Sequence, residues 1–174
     1  MAIGPALPQI PLVLDTDVFT AWRYRSESTE RKVSEYEATH KRPPALISTT
    51  VFEALRSYER TIFERGGADK DTERGRAEAR RLIELYESIP SGPSTSGILS
   101  FDKHAADIAA YVAGRLHKHL LRKKNRNLLG DIFIAATALA HHHGVATGNQ
   151  RDFELIGNSL STSHPVLRLA IWKP

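Results

Sequence analysis

The chain has 174 residues, of which 41% are hydrophobic, so it is long enough for a single domain with a hydrophobic core. It contains no cysteine, which excludes disulfides, thiolate metal sites and cysteine nucleophiles. A formal charge of +4 favours an anionic partner, and because no apolar stretch suits a signal peptide or a membrane helix, we expect a soluble, cytoplasmic protein with no membrane partner.

The first half of the chain alternates short apolar runs with helical patterns. Strands are predicted at 12–14 and 45–47, and a helix is predicted after each of them. A polar, helix-prone segment at 30–40 lies between them. The helix after the second strand stops at Gly66, and a charged helix follows at about 69–87. We interpret the region around 65–97 as a charged helical hairpin appended to one domain that spans residues 1–174.

The second half repeats the alternation after a Pro, Ser and Gly-rich loop. The patterns predict a strand at 98–99, a helix from Lys103 toward Leu121, and an apolar helix over 128–143 that Gly144 stops. A strand at 145–147, a small helix at 152–156 and an edge strand at 166–171 complete the chain. Short strands alternating with helices indicate an α/β fold, with a mainly parallel sheet covered on both faces.

Four acids lie where apolar runs give way to helices: Asp15, Glu53, Asp131 and Asp152. Three of them follow strands whose carboxyl ends share one rim of a parallel sheet, whereas Asp131 reaches that rim only if its helix crosses the sheet obliquely. Gathered together, the acids would repel one another, and a cation would remove that conflict. Oxygen donors suit Mg²⁺ or Mn²⁺ better than zinc, and such ions promote phosphodiester hydrolysis.

Four segments, 14–18, 48–53, 130–138 and 147–153, resemble in order the motifs of the PIN domain nucleases, and among them the VapC-type toxin ribonucleases. The resemblance implies a three-layer α/β/α sandwich, a bound Mg²⁺ or Mn²⁺ ion and cleavage of RNA. It implies that Asp15, Asp131 and Asp152 hold the metal, and that Glu53 activates or orients water. It also implies a toxin role in a type II toxin-antitoxin system, with a small antitoxin in the acidic groove and a homodimer.

The resemblance extends to three flanking residues. It implies that Thr147 and Asn149 support the metal ligands or contact phosphate. Asp17 stands where many relatives carry Asn or Ser, and it either adds a fifth acid to the site or caps a helix. The chain is also longer than compact relatives, mostly through the hairpin.

A basic run at 115–126 comes immediately before the helix of Asp131 and contains no acid. Its charges have the right sign to follow an RNA backbone, although a solvated helix end explains them equally well. The candidate RNA contacts are Lys118, Arg122, Lys123, Lys124 and Arg126. The hairpin carries mixed charges, and we do not assign RNA binding to it.

Other interpretations of the acids stay open. Asp15, Asp17 and Asp152 could each be an ordinary helix cap, although all four acids in family order make a purely structural origin a poor explanation. A phosphatase of the haloacid dehalogenase type would use Asp15 as nucleophile and Asp17 as general acid. A PIN-like module that binds RNA or protein without catalysis is the third interpretation.

Overall fold

Short strands and longer helices alternate through the computed structural model, which describes residues 10–89, 97–121 and 127–173. The strands of this part of the chain are β1 (Leu12–Leu14), β2 (Leu46–Ile47), β3 (Ile98–Leu99), β4 (Gly144–Thr147) and β5 (Leu169–Ile171). The helices are α1 (Thr16–Arg23), α2 (Glu27–His40), α3 (Ser48–Arg65), α4 (Lys70–Glu87), α5 (Lys103–Arg115), α6 (His117–Leu120), α7 (Leu128–Ala140) and α8 (Gln150–Ser159).

Every strand pair in the described sheet is parallel. Strand β4 pairs with β1 on one side and with β5 on the other, while β2 pairs with β3. Val13 of β1 forms a bridge to Ala45, and the Leu14 backbone N–H donates to the Ala45 carbonyl at 2.9 Å. These contacts join the two groups of strands in the order β3-β2-β1-β4-β5. Strand β5 therefore lies at an edge, as its alternating pattern predicted.

Successive strand residues point to opposite sides of the sheet, and all three residues of β1 are buried. Helices therefore cover both faces of the sheet. Val13 lies in a hydrophobic cluster with residues of α5, α7 and α8. Leu12 and Leu14 lie in a second cluster, together with residues of α1, α2 and α4. The prediction of an α/β/α sandwich with a parallel central sheet is confirmed, and its strand ends form the rim on which the acids converge.

Several predicted boundaries were wrong. The helix predicted from Lys103 toward Leu121 is interrupted at Leu116, between α5 and α6. The apolar helix ends at Ala140, ahead of a left-handed backbone conformation at His142 (φ 58°). The predicted stop signal Gly144 lies in β4, where an added Cβ would stand 2.9 Å from the carbonyl of Arg168 on the neighbouring chain segment. The absence of a side chain at Gly144 therefore lets the neighbouring segment approach β4 closely.

The charged hairpin consists of α3 and α4, joined by a short turn at Gly66, which has a left-handed backbone conformation (φ 69°). Arg76 of α4 lies 3.2 Å from Glu59 of α3, so part of the mixed charge is paired between the helices. Ile83 and Tyr86 on the inner face of α4 belong to the second hydrophobic cluster. That the chain is one domain with this hairpin as an appendage stays a prediction. Among the described helices, none is both long and apolar enough to cross a membrane.

Candidate active site

An acidic pocket lies at the carboxyl ends of the strands, as the sequence predicted for a parallel sheet. Asp15 directly follows β1, Glu53 lies in the helix that follows β2, and Asn149 comes two residues after β4. The pocket has a volume of about 180 Å³. It is lined by Asp15, Thr16, Asp17, Glu53, Arg56, Asn127, Asp131 and Asn149.

Asp15 is the most deeply buried acid of the pocket, with only 3% of its surface exposed. It is the N-cap of α1 and accepts a hydrogen bond from the backbone N–H of Thr16 at 2.6 Å. The Thr147 hydroxyl donates to the other carboxylate oxygen at 2.7 Å. Burial raises the pKa of Asp15 to about 6, because the loss of water outweighs these hydrogen bonds and because the charges of Asp17 and Glu53 add repulsion.

Asp131 lies in the first turn of α7 and is also buried, with 7% of its surface exposed. Burial, together with the smaller effect of the charges of Asp15, Asp152 and Glu53, raises its pKa to about 8. The structure therefore places this acid, whose position was the least certain from sequence, against the other three. A proton or a cation is needed to offset their combined charge.

Asn149 links two of the predicted acids. Its side-chain amide donates to Asp131 Oδ2 at 3.1 Å and to Asp152 Oδ2 at 3.0 Å. Its backbone N–H donates to the hydroxyl of Thr147 at 2.9 Å, so the same residue is tied to the group that supports Asp15. Asp152 does not line the pocket itself and lies beside it, in the first turn of α8. The predicted supporting positions of Thr147 and Asn149 thus correspond to direct contacts with the acids.

Asp17 lies at the exposed edge of the pocket, in the first turn of α1. The N-cap of that helix is Asp15, so capping does not account for Asp17. Its charge adds to the repulsion that raises the pKa of Asp15. Asp17 is therefore the fourth acid of the pocket lining, and Asp152 lies beside them.

Glu53 contacts two residues that were not among the predicted site residues. The Thr16 hydroxyl donates to Glu53 Oε2 at 2.5 Å. Gly130, on α7, faces the other carboxylate oxygen, and a Cβ added there would overlap Glu53 Oε1. A glycine inside a helix costs about 0.5–1 kcal/mol relative to alanine, so its position directly before Asp131 was the available signal of a close approach.

The donors of the pocket suit a hard divalent cation, since they are oxygens and carry negative charge that no lysine or arginine pairs with in the described chain. The raised pKa values of Asp15 and Asp131 indicate the same excess of negative charge. However, no three His, Asp or Glu side chains in the described ranges are arranged as a ready ligand cluster. Instead, Asp131 and Asp152 are both bonded to Asn149. The chemistry of the pocket therefore fits Mg²⁺ or Mn²⁺, while the ligand set stays a prediction.

Of the five predicted basic contacts, Lys118 alone falls within the described residues. Lys118 is exposed on α6 and does not line the pocket. The other four, Arg122, Lys123, Lys124 and Arg126, lie outside the described residues. The only lysine or arginine among the described residues that line the pocket is Arg56, on α3, which was not among the predicted RNA contacts.

The known proteins that resemble this chain do so in structure and not in sequence. No protein-family profile and no curated sequence matches the chain. VapBC2 from Rickettsia felis, solved with a DNA fragment from its promoter, has a TM-score of 0.61 and 16% identity, with 92% of this chain and 98% of that chain covered. DNA-bound VapBC from Salmonella typhimurium has a TM-score of 0.62 and 18% identity, with 94% and 99% covered. FitAB bound to IR36 DNA has a TM-score of 0.62 and 18% identity, with 91% and 93% covered. The chain therefore has an α/β PIN-like fold, similar over nearly its whole length to chains of VapBC toxin-antitoxin complexes.

Proposed function

We propose that the protein is a divalent-metal-dependent endoribonuclease and the toxin component of a type II toxin-antitoxin system. The observation that carries this proposal is the acidic pocket, in which burial and mutual repulsion raise the pKa values of Asp15 and Asp131 to about 6 and 8. Buried like charges destabilise a fold, so a site that gathers them points to a functional role. The similarity of fold to VapBC complexes supports the toxin-antitoxin relation.

The metal would be Mg²⁺ or Mn²⁺, held by Asp15, Asp131 and Asp152. When bound, such an ion polarises a phosphoryl oxygen and lowers the pKa of water. Glu53 would then accept the proton of the attacking water at Oε1, because Thr16 already donates to Oε2. Thr147 would keep the Asp15 carboxylate oriented through the hydrogen bond at 2.7 Å.

Replacing Glu53 with Gln tests the catalytic role directly. Loss of a general base typically lowers a rate by about 10²–10⁴-fold. We expect wild-type protein to cleave a fluorogenic single-stranded RNA with Mn²⁺ and to stop when EDTA is added, and we expect Glu53→Gln to lose at least a hundredfold in rate. Glu59→Gln is the matched control, since Glu59 lies on the same helix and pairs with Arg76 away from the pocket. Equal rates for Glu53→Gln and wild type would refute the proposed role.

Replacing Gly130 with Ala tests the placement of Glu53. The added methyl group would overlap Oε1, so the carboxylate must move although both residues at position 130 are uncharged. We expect cleavage to fall by about tenfold or more, since small misplacements of catalytic groups have effects of up to 10²-fold. The unfolding midpoint should change little, because the higher helix propensity of Ala offsets the cost of moving the Glu53 side chain. Gly114→Ala on α5, where an added Cβ meets nothing within 4 Å, is the control and should cleave normally.

The proposed partners are an RNA substrate, a small antitoxin and a second copy of the chain in a homodimer. The neighbouring folds come from complexes named VapBC, which supports an antitoxin partner. Growth arrest on expression, relieved by coexpression of a short adjacent reading frame, would support the toxin role. Unimpaired growth despite RNA cleavage in vitro would count against it.

The two alternative functions predict different outcomes. A haloacid dehalogenase-type phosphatase would hydrolyse small phosphomonoesters, and it leaves Glu53 and Asn149 without roles although both line the pocket. A PIN-like module without catalysis would bind RNA or protein independently of metal and show no turnover. The nuclease gives a role to each of the four predicted acids, Asp15, Glu53, Asp131 and Asp152.

A further inference from the structure

Arg56 is the cation that lines the acidic pocket in the described structure. It lies on α3, three residues after Glu53, in the same pocket as Asp15, Asp17 and Asp131. Despite these neighbours, the guanidinium takes part in none of the ion pairs or hydrogen bonds found among the described residues. A cation that stays unpaired beside several carboxylates has its donors free for an anion from outside.

Phe52 supports Arg56 from one helical turn earlier. The guanidinium carbon of Arg56 lies 5.7 Å from the centre of the Phe52 ring, within range of a cation–π contact. Phe52 is 59% exposed and Arg56 lines the pocket, so the pair lies on the surface beside the pocket and not in the core. The ring limits the motion of the arginine without neutralising its charge, which favours binding of a ligand by the guanidinium.

We propose that Arg56 binds a backbone phosphate of a single-stranded RNA next to the phosphodiester that is cleaved, a step that rests on the proposed function. An acidic pocket repels an RNA strand, so the strand needs a cation at the pocket edge, and a guanidinium can bind phosphate through two parallel hydrogen bonds. Asn127 also lines the pocket, at the N-terminus of α7, and its side chain makes no capping hydrogen bond. Its amide is a second group available to the same phosphate.

A second groove continues from the pocket and gives the strand a path. The groove has a volume of about 610 Å³ and shares Thr16 and Glu53 with the acidic pocket. Its lining includes Arg23, whose guanidinium carbon lies 4.1 Å from the ring of Tyr24, and Tyr24 is 67% exposed. The Arg23 Nε is buried without a hydrogen-bond partner. Arginines beside exposed rings suit a ligand of alternating phosphates and bases better than they suit an acidic peptide.

Binding of a fluorescein-labelled, 12-nucleotide single-stranded RNA in the presence of EDTA tests the proposal without requiring cleavage. We expect Arg56→Gln to weaken binding by about five- to tenfold and to reduce the slope of log affinity against log salt by about 0.7, the effect of one lost phosphate contact on a single strand. Arg56→Lys keeps the charge but not the paired donors, so its affinity should be intermediate. Arg31→Gln is the matched control because Arg31 is exposed on α2 and pairs with Glu35.

The outcomes separate this inference from the proposed nuclease function. If Arg56→Gln binds RNA as tightly as Arg31→Gln and the wild type do, and the wild type cleaves RNA with Mn²⁺, the inference is wrong and the nuclease stands. If Arg56-dependent binding is found but the wild type never cleaves RNA, the phosphate contact stands and the nuclease fails. Loss of antitoxin binding in Arg56→Gln, with RNA affinity unchanged, would assign the arginine to the protein partner and overturn the proposal.

Discussion

Asp131→Asn is expected to stabilise the metal-free protein at pH 8 while it removes RNA cleavage. In the unfolded chain this carboxyl ionises near its ordinary pKa of 3.8, whereas in the folded protein it does so only near pH 8, because it is buried among other acids. Between these values the folded state holds a proton that the unfolded state has lost, so stability falls as pH rises. The Asn variant is free of this loss. Its advantage should be absent below about pH 4 and should reach a few kcal/mol above pH 8.

Urea unfolding in EDTA at pH 4, 6 and 8.5 measures this effect. The control is Asp107→Asn, since Asp107 is an exposed acid that pairs with Lys103 on the surface of α5. The difference in unfolding free energy between this control and the wild type should not grow with pH. With Mn²⁺ present, Asp131→Asn should lose at least a hundredfold in cleavage rate, as expected for a lost charge at a metal site. An Asn variant less stable than the wild type at pH 8.5 would contradict the electrostatic account.

Thr147→Val is expected to destabilise the protein by about 2–4 kcal/mol although valine has nearly the same shape as threonine. The hydroxyl of Thr147 is completely buried, donates to Asp15 Oδ2 and accepts the backbone N–H of Asn149. Its removal leaves one buried acceptor and one donor without these partners, and each such loss costs about 1–3 kcal/mol. The pKa of Asp15 should also rise further, because the Thr147 hydrogen bond lowers it in the wild type.

Thr137→Val provides a control of the same chemistry and burial. Thr137 is also completely buried, but its hydroxyl donates to the Phe133 carbonyl one turn earlier in α7. The Phe133 carbonyl also accepts a backbone hydrogen bond within the helix. It therefore keeps a partner when the Thr137 hydroxyl is removed. Urea unfolding at neutral pH should show a difference of more than 1 kcal/mol between the two variants. Similar values for both would mean that the Thr147 network does not stabilise the site.

The parallel sheet and its acidic rim could be predicted because the signals are local. Short apolar runs marked the strands, and Asp15 and Glu53 lie in helices or caps that begin where strands end. The convergence of Asp131 was less certain because its helix precedes the strand β4 that it packs against. Boundaries failed where the backbone departs from the pattern, as at His142, which adopts a left-handed conformation inside a run of histidines.

The residues that the sequence did not reveal depend on contacts between distant elements. Thr16 on α1 and Gly130 on α7 both touch Glu53 on α3, across separations that hydrophobic periodicity does not encode. Arg56 was hidden by its context, since a helix with balanced charges gives no sign that one arginine faces the acids. Only the folded arrangement distinguishes it from its neighbours on the helix.

The three residues of β1 connect the two halves of the interior to the acid that follows them. Val13 faces one hydrophobic cluster, Leu12 and Leu14 face the other, and each is paired in register with a residue of β4. Insertion or deletion of one residue before Asp15 would exchange the sides on which these side chains lie, and it would turn the carboxylate away from Thr147. Evolution therefore cannot tune the reach of Asp15 through the length of this strand. Change at this site must instead come from substitution of the side chains that the surrounding helices present to the pocket.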